Sequence, residues 1–145
     1  AILGAHYPEV FASVGIHSGL PVGSAQDVMS AFGAMRSGGD AVLPLAVPAI
    51  VFHGTADSTV APVNGASFLP PDMTDADRSE VTANGRRVTV SRAAKRGQTL
   101  ATEFWQVEGL GHAWSGGHHS GSYADPAGPD ATAEMVRFFR EASTT

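Results

Sequence analysis

Cysteine is absent from the 145 residues, which excludes disulfides, Cys-ligated zinc and a thiol nucleophile and leaves the redox compartment open. Long apolar runs are missing too: none approaches bilayer-spanning length, and no signal-peptide pattern occurs within the sequence. Charge is sparse and acidic on balance. With 16% charged residues and a net charge of −5, neither nucleic acid nor an anionic membrane surface is expected as a partner. One basic cluster (Arg86, Arg87, Arg92, Lys95, Arg96) is interrupted by β-prone residues and reads as a solvated hairpin edge. The first residue is not Met, and Ala1 to Tyr7 reads as the last turns of a helix already under way, so a preceding portion is expected.

What is present suffices for one core. Hydrophobic residues at 43% place the chain among globular rather than disordered sequences. Pro8 stops the opening helix. Val10 to His17 (VFASVGIH) has no helical stripe and reads as a buried strand ending at Ser18-Gly19. Ser24 is the expected N-cap, with Asp27 in the first turn, of a helix whose Val28, Phe32 and Met35 share a face and which ends near Gly38-Gly39. Pro48 opens Ala49-Ile50-Val51-Phe52, a compact run expected to be a central parallel strand. Pro62 to Asp77 reads as irregular with a short helical piece. Arg87 to Arg92 and Thr102 to Val107 alternate around Lys95-Arg96-Gly97, the pattern of a β-hairpin. Gly109 to Pro129 is a long loop dense in Gly, His and Ser. Asp130 caps a final helix whose Ala131, Met135, Phe138, Phe139 and Ala142 form an apolar stripe. The alternation implies an α/β fold: a parallel sheet with flanking helices and one hairpin.

Two segments place an ionisable residue just past a predicted strand, where open α/β sheets bind ligands. They are Ile50-Val51-Phe52-His53-Gly54-Thr55-Ala56-Asp57-Ser58-Thr59-Val60 and Phe104-Trp105-Gln106-Val107-Glu108-Gly109-Leu110-Gly111-His112-Ala113-Trp114. A carboxylate bonded to one imidazole nitrogen fixes the tautomer, and the other nitrogen then accepts a hydroxyl proton. Singly, such an Asp is more often an Asx-turn or helix cap, and such a His is more often incidental. As a pair, each behind its own strand and with Asp before His, their order resembles that of the acid and base in α/β-hydrolases.

Together with their flanking residues, these segments resemble the polyhydroxybutyrate (PHB) depolymerase family of esterases, relatives of the feruloyl and acetylxylan esterases. YPEVFASVGIHSGLP (7 to 21), VPAIVFHGTADSTVAPVNG (47 to 65) and GLGHAWSGGHHSGSYADPAGPDATAEMVRFF (109 to 139) carry the resemblance. It implies the C-terminal part of an α/β-hydrolase sheet over 1–145, ester hydrolysis through an acyl-enzyme, Asp57 as triad acid and His112 as base. The family's nucleophile sits in a G-x-S-x-G elbow, and no such pattern occurs here. The resemblance puts that serine roughly ten residues upstream of Ala1, with the oxyanion-hole amides also outside the sequence. The chain alone is therefore expected to lack substantial esterase activity. It is also expected to self-associate or pair with the missing half, because a sheet cut in its middle leaves an open edge. An extracellular or periplasmic location follows from the family resemblance alone.

Three further residues are candidates for lining the pocket. His17 and Ser18 end a strand at the same edge, with a structural role equally open. Trp114 is an apolar wall for an acyl chain, with core packing as its alternative. His53 reads as a buried, hydrogen-bonded histidine rather than a second base. Tyr123 and Asp125 are expected to order the loop. His112, His118 and His119 invite a metal, but adjacent histidines are expected to point apart and no carboxylate sits at ligand spacing, so no metal or other cofactor is expected. Three functional readings stand: an esterase of hydroxyalkanoate or short acyl esters, an esterase of feruloyl or acetyl groups, and a non-catalytic interaction module.

Overall fold

The computed structural model describes residues 1–39, 43–69, 78–94 and 101–142. A short helix α1 (Ile2–His6) leads to strand β1 (Val14–His17), then helix α2 (Val28–Ser37) and strand β2 (Ala49–Gly54). Helix α3 (Val63–Ala66) precedes strands β3 (Arg78–Ala83), β4 (Arg86–Ala94) and β5 (Ala101–Val107). Two brief strands, β6 (Trp114–Ser115) and β7 (Ala124–Asp125), and helix α4 (Ala131–Ala142) complete the chain. The architecture is mixed α/β.

The five-stranded sheet runs β1-β2-β5-β4-β3. The first three strands are parallel, and β4 and β3 add antiparallel. Every residue of β2 is buried, which is what its uninterrupted apolar run requires of a central strand covered on both faces. Alternate residues serve opposite faces. On one side Ile50 and Phe52 pack with Val88, Val90, Trp105, Val107 and the α4 residues Ala131, Met135 and Phe138. On the other, Val14, Ile16, Ala49 and Val51 pack with Val47 and Phe104. Each fully buried Phe or Met contributes about 1.5–3 kcal/mol, so the α4 stripe alone is a sizeable part of what holds the sheet. Asp130 caps α4, accepting the Ala133 N–H at 3.0 Å.

Several elements depart from the sequence expectation. The strand expected over 10–17 pairs only from Val14; Val10 and Phe11 instead donate their amides to the Tyr7 carbonyl at 3.0 and 3.1 Å, closing a turn. The α2 cap is Asp27, not Ser24. Its carboxylate accepts the Ser30 N–H at 2.7 Å while the Ser30 hydroxyl receives the Asp27 N–H at 3.0 Å, and this reciprocal pair outcompetes a start farther upstream. The α2 stripe is helical in period but faces outward: Val28, Met29 and Phe32 are exposed, and the helix is held by its other side, where Asn64 of α3 donates to the Ala34 carbonyl at 2.9 Å.

The hairpin of β4 and β5 forms, with Val90 opposite Trp105, and its connection over 95–100 lies outside the described residues. So does the second half of the irregular stretch expected over 62–77, residues 70–77, although α3 supplies its helical piece. Strand β3 was not anticipated. Asn84-Gly85, with φ of 42° and 82°, makes the tight turn that two positive φ values allow, and β3 is exposed enough to lack apolar alternation. The Gly-rich loop is not structureless either: β6 and β7 pair, and Asp125 is ion-paired to Arg86. Strand β1 is paired on one side only among the described residues, and Ile2, Leu3, Tyr7 and Val10 are exposed.

Candidate active site

The parallel pairing of β2 with β5 brings Gly54 level with Val107, so the two loops that follow begin side by side. Backbone hydrogen bonds fasten them: Thr55 N–H to the Val107 carbonyl and Ala56 N–H to the Leu110 carbonyl, both at 3.0 Å. The Thr55 hydroxyl accepts the Gly109 N–H at 2.9 Å. A side chain at Gly54 would collide with this seam, because a Cβ there would lie 2.0 Å from the Leu110 carbonyl oxygen.

Asp57 and His112 meet across that seam, with His112 Nδ1 2.9 Å from Asp57 Oδ2. The Asp57 side chain is fully buried. Its Oδ1 accepts the Thr59 and Val60 N–H groups at 3.0 and 2.8 Å, so the Asx-turn that looked like the alternative to a functional role is made by one oxygen while the other takes the imidazole. Burial alone would raise the Asp57 pKa; the Val60 amide, the His112 ring and the Thr59 amide together outweigh it and hold the carboxyl below the usual range. An ionised partner at Nδ1 stabilises the tautomer with its proton there, leaving Nε2 as a base toward the cleft that His112 lines.

His53 lies beneath. It is fully buried, its Nε2 donates to the Val60 carbonyl at 2.8 Å, and the same nitrogen stands 3.5 Å from Asp57 Oδ2. It braces the acid turn from inside and has no access to the cleft, as expected for a buried, hydrogen-bonded histidine.

The cleft, about 510 Å³, is lined by His17, Ser18, Thr59, His112, Ala113, Trp114 and Tyr123. All three candidate lining residues are among them. His17 is sandwiched between Phe52 (ring centroids 5.8 Å apart) and Trp114 (4.8 Å). Its Nε2 accepts the Ser115 N–H at 3.1 Å, and Nδ1 is 3.1 Å from the Ser18 hydroxyl. Trp114 therefore packs on a histidine ring and still presents an edge to the cleft. Tyr123 does not order the loop through its ring, which is exposed at the cleft mouth; only its carbonyl does so, accepting the Trp114 N–H at 2.8 Å. Asp125 orders the loop through Arg86 and the Ala127 N–H. His118 and His119 do not point apart: their rings lie 4.2 Å apart, with His118 Nδ1 on the Ser120 hydroxyl. Among the described residues, no three His, Asp or Glu side chains converge to hold a metal.

Residues 1–93 match the family described as Esterase PHB depolymerase. The chain belongs to this esterase family. No match was found among curated proteins. The family match includes His17, Ser18 and Asp57 and ends before His112, so within this esterase-family chain His112 is tied to the rest by the geometry of the seam. The Thr59 and Val60 amides are the donors of the Asx-turn that the sequence offers only as an alternative to function. The Ser115 amide has no signal in the sequence, because its partner His17 is remote along the chain.

Burial pushes the His17 pKa down to about 4, helped by the neighbouring His53 and His112 and opposed by Asp57. Since the folded ring resists protonation and the unfolded one does not, stability is lost as pH falls from the ordinary histidine value toward about 4, and His17 adds no slope above that range. Urea unfolding at pH 7 and pH 5 should show His17→Gln with a shallower acid loss than the parent, by up to about 1.4 kcal/mol per pH unit. Equal losses in both proteins would contradict this.

Proposed function

We propose that this chain supplies the acid, Asp57, and the base, His112, of a serine esterase of α/β-hydrolase type. The observation that carries the reading is the 2.9 Å contact from His112 Nδ1 to a buried Asp57 whose other oxygen is saturated by backbone amides. In the reaction, His112 Nε2 removes the proton from a serine hydroxyl as its oxygen adds to the ester carbonyl. The proton then passes to the departing alkoxide, and the acyl group stays on serine. Water repeats the sequence, with His112 again as base, and releases the carboxylic acid.

The serine is contributed from outside the 145 residues, which contain no G-x-S-x-G. Its oxyanion-hole amide comes with it. The edge of β1 that is unpaired among the described residues and the exposed apolar residues of α1 and α2 support a surface covered by that segment or by a second copy. Light scattering of the isolated chain at low micromolar concentration is expected to show association; a clean monomer would count against it.

The substrates we favour are hydroxyalkanoate polyesters or oligomers and short acyl esters. A feruloyl ester is the second reading, favoured by Trp114 and Tyr123, two aromatic rings at the cleft that suit a planar acyl group. The test is hydrolysis of a p-nitrophenyl ester. The 145-residue chain alone is expected to give no substantial turnover, whereas the chain joined to an elbow-bearing segment turns over and loses it on His112→Ala. Turnover by the isolated chain that His112→Ala abolishes would overturn the external nucleophile; an active joined enzyme indifferent to His112→Ala would leave the interaction-module reading.

A further inference from the structure

Ser18 occupies an unusual backbone position. Its φ of 51° lies in the left-handed region, where glycine is the ordinary choice, and Gly19 stands next to it unused for that purpose. The residue sits at the C-terminal end of β1, is nearly buried, and lines the cleft together with His112. A hydroxyl-bearing residue at a strained site beside the cleft points to a use of the hydroxyl.

The neighbouring hydrogen bonds set its polarity. The Ser115 backbone N–H can only donate, so His17 Nε2, 3.1 Å away, must accept. A neutral imidazole that accepts at Nε2 carries its proton on Nδ1, which faces the Ser18 oxygen at 3.1 Å. Ser18 therefore accepts from His17, and its own proton is left to point elsewhere. Burial keeps the ring neutral, with its pKa down to about 4, so this polarity persists at neutral pH. The stack between Phe52 and Trp114 holds the ring plane, and the Ser115 hydroxyl anchors the loop by donating to the Pro129 carbonyl at 2.8 Å.

We propose that the Ser115 amide, His17 and Ser18 form a one-way hydrogen-bond relay that makes the Ser18 hydroxyl a donor to an oxygen acceptor of the ligand in the cleft, a substrate-binding contact distinct from the Asp57–His112 pair. The nature of the ligand, an ester whose carbonyl or hydroxyl oxygen receives the bond, rests on the esterase reading; the direction of the relay does not.

The experiment uses the 145-residue chain, with methyl 3-hydroxybutyrate as probe, and follows backbone amide shifts and the long-range nitrogen–proton correlations of the imidazoles. The His17 ring is expected as the neutral Nδ1–H tautomer. Ser18→Ala, Ser18→Gly and His17→Phe, which keeps the stack, each weaken probe binding by about fivefold, the worth of one neutral hydrogen bond. The double variant Ser18→Ala/His17→Phe is no weaker than either single change, because both break the same relay. Ser18→Gly also relieves the backbone strain, so loss of binding in a well-folded chain separates the contact from the fold. An Nε2–H tautomer, unchanged binding by Ser18→Ala, or no binding by the parent each overturns the proposal. Hydrolysis by the elbow-joined enzyme that ignores Asp57→Asn and His112→Ala, with the Ser18 effects intact, overturns the triad reading alone.

Discussion

Replacing Asp57 by asparagine in the elbow-joined enzyme should lower kcat/KM for a p-nitrophenyl ester by about three to four orders of magnitude while the fold persists. The substitution keeps shape, and the amide oxygen can still accept the Thr59 and Val60 N–H groups. That choice turns the amide nitrogen toward His112 Nδ1, 2.9 Å away in the parent. Two donors cannot face each other, so the imidazole must accept there and carry its proton on Nε2. The nitrogen that should take the serine proton is then already protonated. Asparagine also removes the negative charge that would stabilise the imidazolium. The variant should lose stability at neutral pH as well. The lowered Asp57 pKa means that its contribution is present above the ordinary carboxylate range and is lost as pH falls through the folded value, so the gap between variant and parent closes in acid. Unimpaired turnover by Asp57→Asn would show that the contact is structural only.

The second large effect is expected at a residue that touches no substrate. Gly54→Ala should destabilise the chain by about 3 kcal/mol, with a Tm lower by about 10 °C, and should remove the His112–Asp57 contact. Its Cβ would stand 2.0 Å from the Leu110 oxygen and 2.6 Å from the Leu110 carbon, both backbone atoms with no rotamer to escape into. Relief requires the β2 and β5 loops to part, which breaks the Ala56 N–H bond to that same Leu110 carbonyl. Gly33→Ala is the control. Nothing lies within 4 Å of a Cβ at Gly33, which is exposed in α2, so alanine there should be neutral or stabilising by about 0.5–1 kcal/mol. Equal Tm values for Gly54→Ala and the parent by thermal unfolding would refute the seam as a steric constraint.

Much of the framework was legible because it rests on local rules. A compact apolar run bounded by Pro48 and Gly54 has to be a strand buried on both faces, and β2 is. The period of Ala131, Met135 and Phe138 has to lie along one face of a helix, and α4 packs that face on the sheet. The same logic named the face of α2 but not its surroundings. Periodicity says which residues lie together, and Val28 and Phe32 lie together in the open. Strand β3 was missed because an exposed edge strand needs no apolar alternation; its only local mark was Asn84-Gly85.

For the site, the sequence by itself singled out Asp57 and His112 as the candidate pair and placed them at strand ends: Asp57 after His53-Gly54, and His112 after Gly109-Leu110-Gly111. Hydrophobic patterning reports strands, and strand ends are where side chains reach a common edge. Only the tertiary structure decided that β2 and β5 are direct neighbours in register, that Asp57 divides its oxygens between an Asx-turn and an imidazole, and that His17 receives an amide from Ser115, far along the chain. The physical reason is that strand order and loop docking depend on packing between segments far apart in sequence, to which no local period or propensity responds.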